Sequence, residues 1–140
     1  MNRLAASMLG AVLLAACAAS PTSTGPQTIT IKAVDIAYDP ATIEVASGRP
    51  VRLTMENAGA LEHDWSVATI SVQDVREINS EAGDHDMGSM DNTLDLHISA
   101  EPGGSSVLEF TPIKAGTYEF FCTVPGHKEA GAAGTLIVTS

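Results

Sequence analysis

The chain reads as an all-β protein, a Greek-key β-sandwich or barrel of about eight short strands. Three observations predict it. Apolar and polar residues alternate with period two through most of residues 28–140. Clusters of Gly, Pro, Asn and Asp interrupt that alternation at short, regular intervals. The alternating part, about 110 residues, is enough for one sandwich core, and it shows no solenoid-type repeat.

The strands follow in order. Ile29, Ile31 and Ala33 share one face, with Thr28, Thr30 and Lys32 on the other. Ile43 and Val45 flank Glu44, and Val51, Leu53 and Met55 alternate with Arg52, Thr54 and Glu56. The inward parity makes Met55 a core residue. Trp65 and Val67 share a face, as do Leu94, Leu96 and Ile98, then Leu108 and Phe110. Tyr118, Phe120 and Cys122 form the next inward set, and Leu136 and Val138 the last. Turns are expected at Asp39-Pro40, Gly48 to Pro50, Asn57 to Gly59, Pro102 to Gly104, Pro112 to Gly116 and Gly131 to Gly134. The segment 70–92 breaks the pattern and reads as an insertion, an excursion from the sandwich with a short helix near 72–80 and then a polar loop.

Residues 1–16 have the make-up of an export signal: a basic start at Arg3, an apolar run from Met8 to Leu14, and no acid. The run is too short to span a bilayer as a mature helix. It ends Leu14-Ala15-Ala16-Cys17, which resembles a bacterial lipobox, so Cys17 is the expected lipidation site. Residues 17–27 then form a Ser/Thr/Pro/Gly tether with too few apolar residues to offset the entropy of ordering. The organisation expected is a signal peptide (1–16), a lipidated tether (17–27) and one domain (28–140), anchored to membrane in the bacterial cell envelope.

The 140 residues carry 17 acidic and 7 basic side chains, a formal net charge of −10. Cleavage before Cys17 removes Arg3 and no acid, which makes the mature chain one unit more negative. Nucleic acid is excluded as a partner, because its binders need basic patches. Docking to a protein with a basic surface is favoured through long-range steering, and a monomer is expected.

Of the two cysteines, Cys17 is assigned to the lipid. Cys122 then has no intramolecular disulfide partner in an oxidising compartment, where a free thiol is a liability unless something occupies it. Cys122 lies at a strand end on the inward parity, and His127 follows within a Pro125-Gly126 turn. His63 sits after the Asn57–Ala60 turn, about 60 residues upstream, where a sandwich brings distant loops together. A thiolate with two imidazoles is a soft trigonal set that selects one copper ion, Cu(II) or Cu(I), and suits one-electron transfer. The flanking Glu62 and Asp64 point away from the His63 side chain by parity and receive no metal role. His97 falls on the outward parity and reads as a surface strand residue.

The run from Gly116 to Gly131, with Phe121-Cys122-Thr123-Val124-Pro125-Gly126-His127 at its centre, followed by Gly134-Thr135-Leu136-Ile137-Val138, closely resembles the C-terminal half of cupredoxins of the plastocyanin/azurin type. Glu62-His63-Asp64 extends the match upstream. The resemblance covers about residues 28–139 without the insertion. It implies a mononuclear type 1 copper site with His63, Cys122 and His127 as equatorial ligands, and electron transfer as the usual role. The chain departs from the family where a weak axial Met is usual, five residues after the second His: that position is Ala132. The site is then three-coordinate with a raised reduction potential, or a water, Glu129 or the backbone carbonyl before His63 completes it, or Met87 or Met90 folds over from the insertion.

Two functions follow. The first is an electron carrier, with Val124, Pro125, Ala130, Ala132 and Ala133 as an apolar docking patch around His127. The second is an envelope copper chaperone, buffer or sensor that uses His85, Met87 and Met90, although a solvated acidic loop explains the same residues. No Ser/His/Asp or paired-carboxylate set suggests an enzyme.

Overall fold

The computed structural model describes residues 25–78 and 93–140. The export signal, Cys17 and nearly all of the tether lie outside these residues, as do His85, Met87 and Met90 of the insertion. Among the described residues no helix is long and apolar enough to cross a membrane.

Two five-stranded sheets face each other. The first has the order β2 (Ala37–Asp39), β1 (Gln27–Val34), β4 (Val51–Asn57), β8 (Ser105–Pro112) and β6 (Val72–Ile78). The second has the order β3 (Thr42–Ala46), β10 (Ala133–Thr139), β9 (Gly116–Phe121), β5 (His63–Val67) and β7 (Leu96–Ala100). From β2 to β9 successive strands alternate between the sheets, the Greek-key pattern that the sequence predicts, while β1–β2 and β9–β10 pair within one sheet. Two of the pairings are parallel, β1 with β4 and β3 with β10.

The alternation read from the sequence is the alternation of burial. In β4, Val51, Leu53, Met55 and Asn57 are buried between half-buried neighbours. Ile31 and Ala33 of β1, Ile43 and Val45 of β3, and Leu136 and Val138 of β10 face the same core. Its centre is aromatic: the Trp65 ring lies 5.6 Å from Phe120 and 6.3 Å from Phe110. Each fully buried side chain of this size contributes about 1.5–3 kcal/mol by leaving water, so the inner faces hold the two sheets in a fixed relation. That relation fixes the strand ends, and the candidate site is built there.

Two strands were not anticipated. Ala37–Asp39 forms β2 against β1, directly before the expected Asp39-Pro40 turn. The more instructive correction is β6: residues 72–78, expected as a short helix outside the sandwich, are an edge strand paired antiparallel with β8. The ladder shifts register between Gln73 and Arg76, and Asp74 has φ +54°. This β-bulge adds a residue and changes the parity of the strand midway. Val72 packs against the core before the bulge, whereas Ile78, after it, stands opposite Val107 on the other face, so period-two alternation cannot be followed through the segment. Arg76 ties the strand to the sheet through Glu109, which also pairs with Arg52. Only the 79–92 part of the insertion remains outside the described residues.

Candidate metal centre

His63 starts β5, and the loop before it is shaped by the buried Asn57. The Asn57 side chain donates to the carbonyls of Leu61 (2.7 Å) and Ala100 (2.8 Å) and accepts from the Gly59 amide (3.0 Å). These three bonds close the turn that delivers His63 to the inward side of the sheet, where it is fully buried. Cys122 follows the last residue of β9. Its amide donates to the Ala132 carbonyl at 2.9 Å. The Pro125-Gly126 turn then leads into a single helical turn, α1 (His127–Ala130). Gly126 has φ +84°, a conformation that costs glycine little and other residues more. The His127 amide donates to Val124 (3.0 Å), and the Ala132 amide to His127 (2.9 Å). Backbone bonds thus fix both ends of the segment between Cys122 and His127. Lys128 adds an ion pair to Glu119 at 2.6 Å and lies 4.1 Å above the Phe121 ring, which holds α1 onto β9.

The three predicted side chains converge. One donor atom from each of His63, Cys122 and His127 lies within 4.8 Å of the other two, and all three residues are buried. The Cys122 Sγ is 3.5 Å from His127 Nδ1, and the two imidazole centroids are 4.7 Å apart. Donors bound at about 2.0–2.3 Å to a shared first-row ion stand a little under 4 Å from one another at trigonal angles, so a small contraction fits them to a metal. Among the described residues neither ring nitrogen of His63 makes a hydrogen bond of normal geometry, although the Asp35 backbone lies close enough to favour a proton on the ring. A buried polar atom without a partner costs about 1–3 kcal/mol, and a metal ion is the occupant that would satisfy it.

The electrostatics agree with that occupant. Burial, then the neighbouring His127, holds the His63 pKa below the ordinary imidazole value, which favours the neutral, ligating form. Burial pushes the Cys122 thiol up, so without an ion the sulfur keeps its proton. Two imidazoles and one thiolate in a trigonal set match one copper ion.

Asp64 is the residue beside the cluster whose part in it the sequence reading missed. Its side chain does point away from the ion site, as parity requires, and it is no ligand. Its backbone N–H, however, donates to Cys122 Sγ at 3.5 Å, and its carbonyl accepts from the buried Tyr38 hydroxyl. The buried carboxylate accepts from the Thr123 amide (2.8 Å), the Thr123 hydroxyl (2.5 Å) and the Ser66 hydroxyl (2.9 Å). Parity gave its direction but not its partners, which come from the loop after β9, from β2 and from Ser66 on its own strand. The available signal was a polar residue beside a proposed ligand, opposite a Thr beside another.

Three further expectations are corrected or narrowed. Ala132 is 0% exposed, so it belongs to the core and not to the docking patch, whereas Pro125 and Ala130 are exposed. Glu129 is exposed on α1 and stands outside the three-residue cluster. His97 is half-buried and faces outward as expected, but its Nδ1 lies 2.9 Å from Ser66 Oγ.

A family model described as the cupredoxin-like domain matches residues 6–138. The copper-resistant cuproprotein CopI of Rubrivivax gelatinosus is 36% identical over 106 residues, which cover 72% of this chain and 59% of that relative. The chain thus spans well under two thirds of that relative's length. Auracyanin-A of Chloroflexus aurantiacus is 31% identical over 137 residues, 84% of this chain and 83% of the relative. Among solved structures, reduced auracyanin from the photosynthetic bacterium Roseiflexus castenholzii superposes with a TM-score of 0.64 at 25% identity, covering 83% of this chain and 99% of that one. Sequence, sandwich and donor set converge: the chain belongs to the cupredoxin-like domain family.

Proposed function

We propose that this chain is a copper-binding electron carrier of the bacterial envelope, with His63, Cys122 and His127 as the ligands of one copper ion. The observation that supports it most is the convergence of those three buried donors around a His63 ring that makes no hydrogen bond of normal geometry among the described residues. Bound copper would supply one-electron exchange between its cupric and cuprous states. The protein's part is to hold the donors still. Cys122, Ala132 and His127 are linked by backbone bonds of 2.9 Å. Asp64 joins Cys122 Sγ from the adjacent strand. Ligands fixed in this way move little when the charge of an ion changes, which keeps reorganisation small.

The route in and out is His127, 8% exposed and next to Val124, Pro125 and Ala130. A small apolar patch suits a transient encounter, and the acidic surface suits a redox partner with a basic face. The lipid on Cys17 would hold the domain close to membrane partners and raise their effective concentration. We read the protein as a monomer and not as an enzyme.

A second reading is supported by the CopI relatives: a copper chaperone, buffer or sensor. It assigns the metal role to His85, Met87 and Met90, which lie outside the described residues. The two are separated by loading the protein with one equivalent of Cu(II). The carrier reading expects an intense thiolate-to-copper absorption and a reversible one-electron wave. A loaded protein with no reversible wave, but with Cu(I) that passes to an acceptor chelator and is lost on Met87→Ala/Met90→Ala, establishes the second reading instead.

Ala132 supplies a graded test of the same site. Its methyl group cannot coordinate, so Ala132→Met is expected to add a weak thioether donor, lower the reduction potential and alter the electron-paramagnetic spectrum. The position is fully buried, so overpacking costs about 1–3 kcal/mol of stability. An unchanged potential and spectrum in a folded variant would show that residue 132 does not face the ion.

A further inference from the structure

We propose that His97 is a positioning residue of the copper centre, acting through Ser66 and Asp64 on the bond to the Cys122 sulfur. The inference rests on the carrier reading for its redox consequence, though the chain of contacts stands without it.

The chain of contacts has a direction. Ser66 Oγ donates to Asp64 Oδ1 at 2.9 Å, and His97 Nδ1 lies 2.9 Å from Ser66 Oγ. A hydroxyl carries one proton, and a carboxylate only accepts. Once that proton is directed at Asp64, the contact with His97 can be a hydrogen bond only if His97 Nδ1–H is the donor. The contacts therefore assign the Nδ1–H tautomer. Donation then runs one way, from His97 to Ser66 and from Ser66 to Asp64. At the far end Asp64 receives the amide and hydroxyl of Thr123, the residue after Cys122. Its own N–H meets Cys122 Sγ.

The placement of the strands explains why His97 can reach this far. Ser66 of β5 lies opposite His97 of β7 and opposite Phe121 of β9. The outer face of β5 is therefore buried at Asp64 and Ser66, although its parity is that of a solvent face. One half-buried imidazole at the edge of the sheet closes the open end of this polar row. Donors in series polarise one another. Removing the first frees Ser66 and the Asp64 carboxylate to turn, so that Thr123 is held less firmly, and it leaves more negative charge beside the sulfur. The added charge favours the cupric over the cuprous state.

Three variants test the assignment: His97→Ala, which removes the donor; Ser66→Ala, which cuts the row in its middle; and His97→Asn, which keeps an N–H near the Nδ1 position. In copper-loaded protein, His97→Ala and Ser66→Ala are expected to lower the reduction potential and shift the thiolate-to-copper band in the same direction, and His97→Asn to restore both. In metal-free protein, nitrogen NMR in alkaline buffer is expected to show His97 protonated at Nδ1. The Thr123 amide should exchange about tenfold faster in His97→Ala, the equivalent of about one lost hydrogen bond.

A purely structural role would lower the melting temperature and leave band and potential at wild-type values; that result overturns the proposal. So does an Nε2–H tautomer. Should wild-type protein show no thiolate-to-copper band, the carrier reading fails, and the tautomer and the Thr123 exchange rate still decide the role of His97.

Discussion

Cys122→Ser is expected to weaken cupric-ion binding by more than about a hundredfold and to erase the thiolate-to-copper absorption. Partners outside the ligand set already account for about 10–100-fold in affinity at metal sites, and Cys122 is the only soft anionic donor of the three. Serine is close in shape, so a fold that buries this position to 1% exposure retains its packing. The hydroxyl can still accept from the Asp64 amide, now 3.5 Å from the sulfur. It remains protonated where a thiolate would form on the metal. The variant therefore separates metal chemistry from folding. Copper titration and circular dichroism on the same sample should show lost affinity with unchanged β structure. Wild-type affinity in this variant would remove Cys122 from the site and leave the two imidazoles without a thiolate.

The inner faces of the sandwich were legible because burial follows parity, and parity is written in the chain. Ile31, Leu53, Met55, Phe120 and Leu136 all lie where alternation puts them. The convergence of His63, Cys122 and His127 was legible because a strand-end Cys, a Pro-Gly turn and a His form a local signal, and a turn places His63. What escaped the reading was set by pairing across strands. In β6 one bulge residue changes parity midway, so the period-two pattern is broken within a single strand. In β5 parity sends Asp64 and Ser66 outward, but Thr123 and His97 meet them there. Those partners lie 59 and 31 residues away. Alternation within one strand carries no information about them. The same limit applies to Ala132, which reads as part of an exposed apolar loop and is buried through its bonds to Cys122 and His127.

Copper loading is expected to raise the melting temperature strongly, and by an amount that depends on pH. Free ion at about 1,000 times the dissociation constant contributes about 4 kcal/mol, which for a domain of about 110 residues is on the order of 15 °C. The metal-free protein starts from a handicap at each end of the pH scale. The pKa of His63 in the folded chain is held below the ordinary 6.5 by burial and by His127. The unfolded chain then binds more protons below that value, so stability is complete above about pH 6.5 and is lost as the pH falls through the folded value. Cys122 acts in the opposite sense. Its thiol is raised above the ordinary 9.0 by burial. Stability from this group is complete below about pH 9 and is lost as the pH rises through the folded value. The metal-free domain should therefore be most stable between these limits. Ligation needs His63 neutral and Cys122 deprotonated, so copper removes a proton from the sulfur and competes with one at the imidazole. Scanning calorimetry of metal-free and loaded protein across this range should show the gain shrinking toward acid. A gain independent of pH, or none, would show that the ion binds away from His63 and Cys122. Replacing His63 by Ala should remove most of the gain and the imidazole's share of its acid dependence, leaving the share that comes from the Cys122 proton.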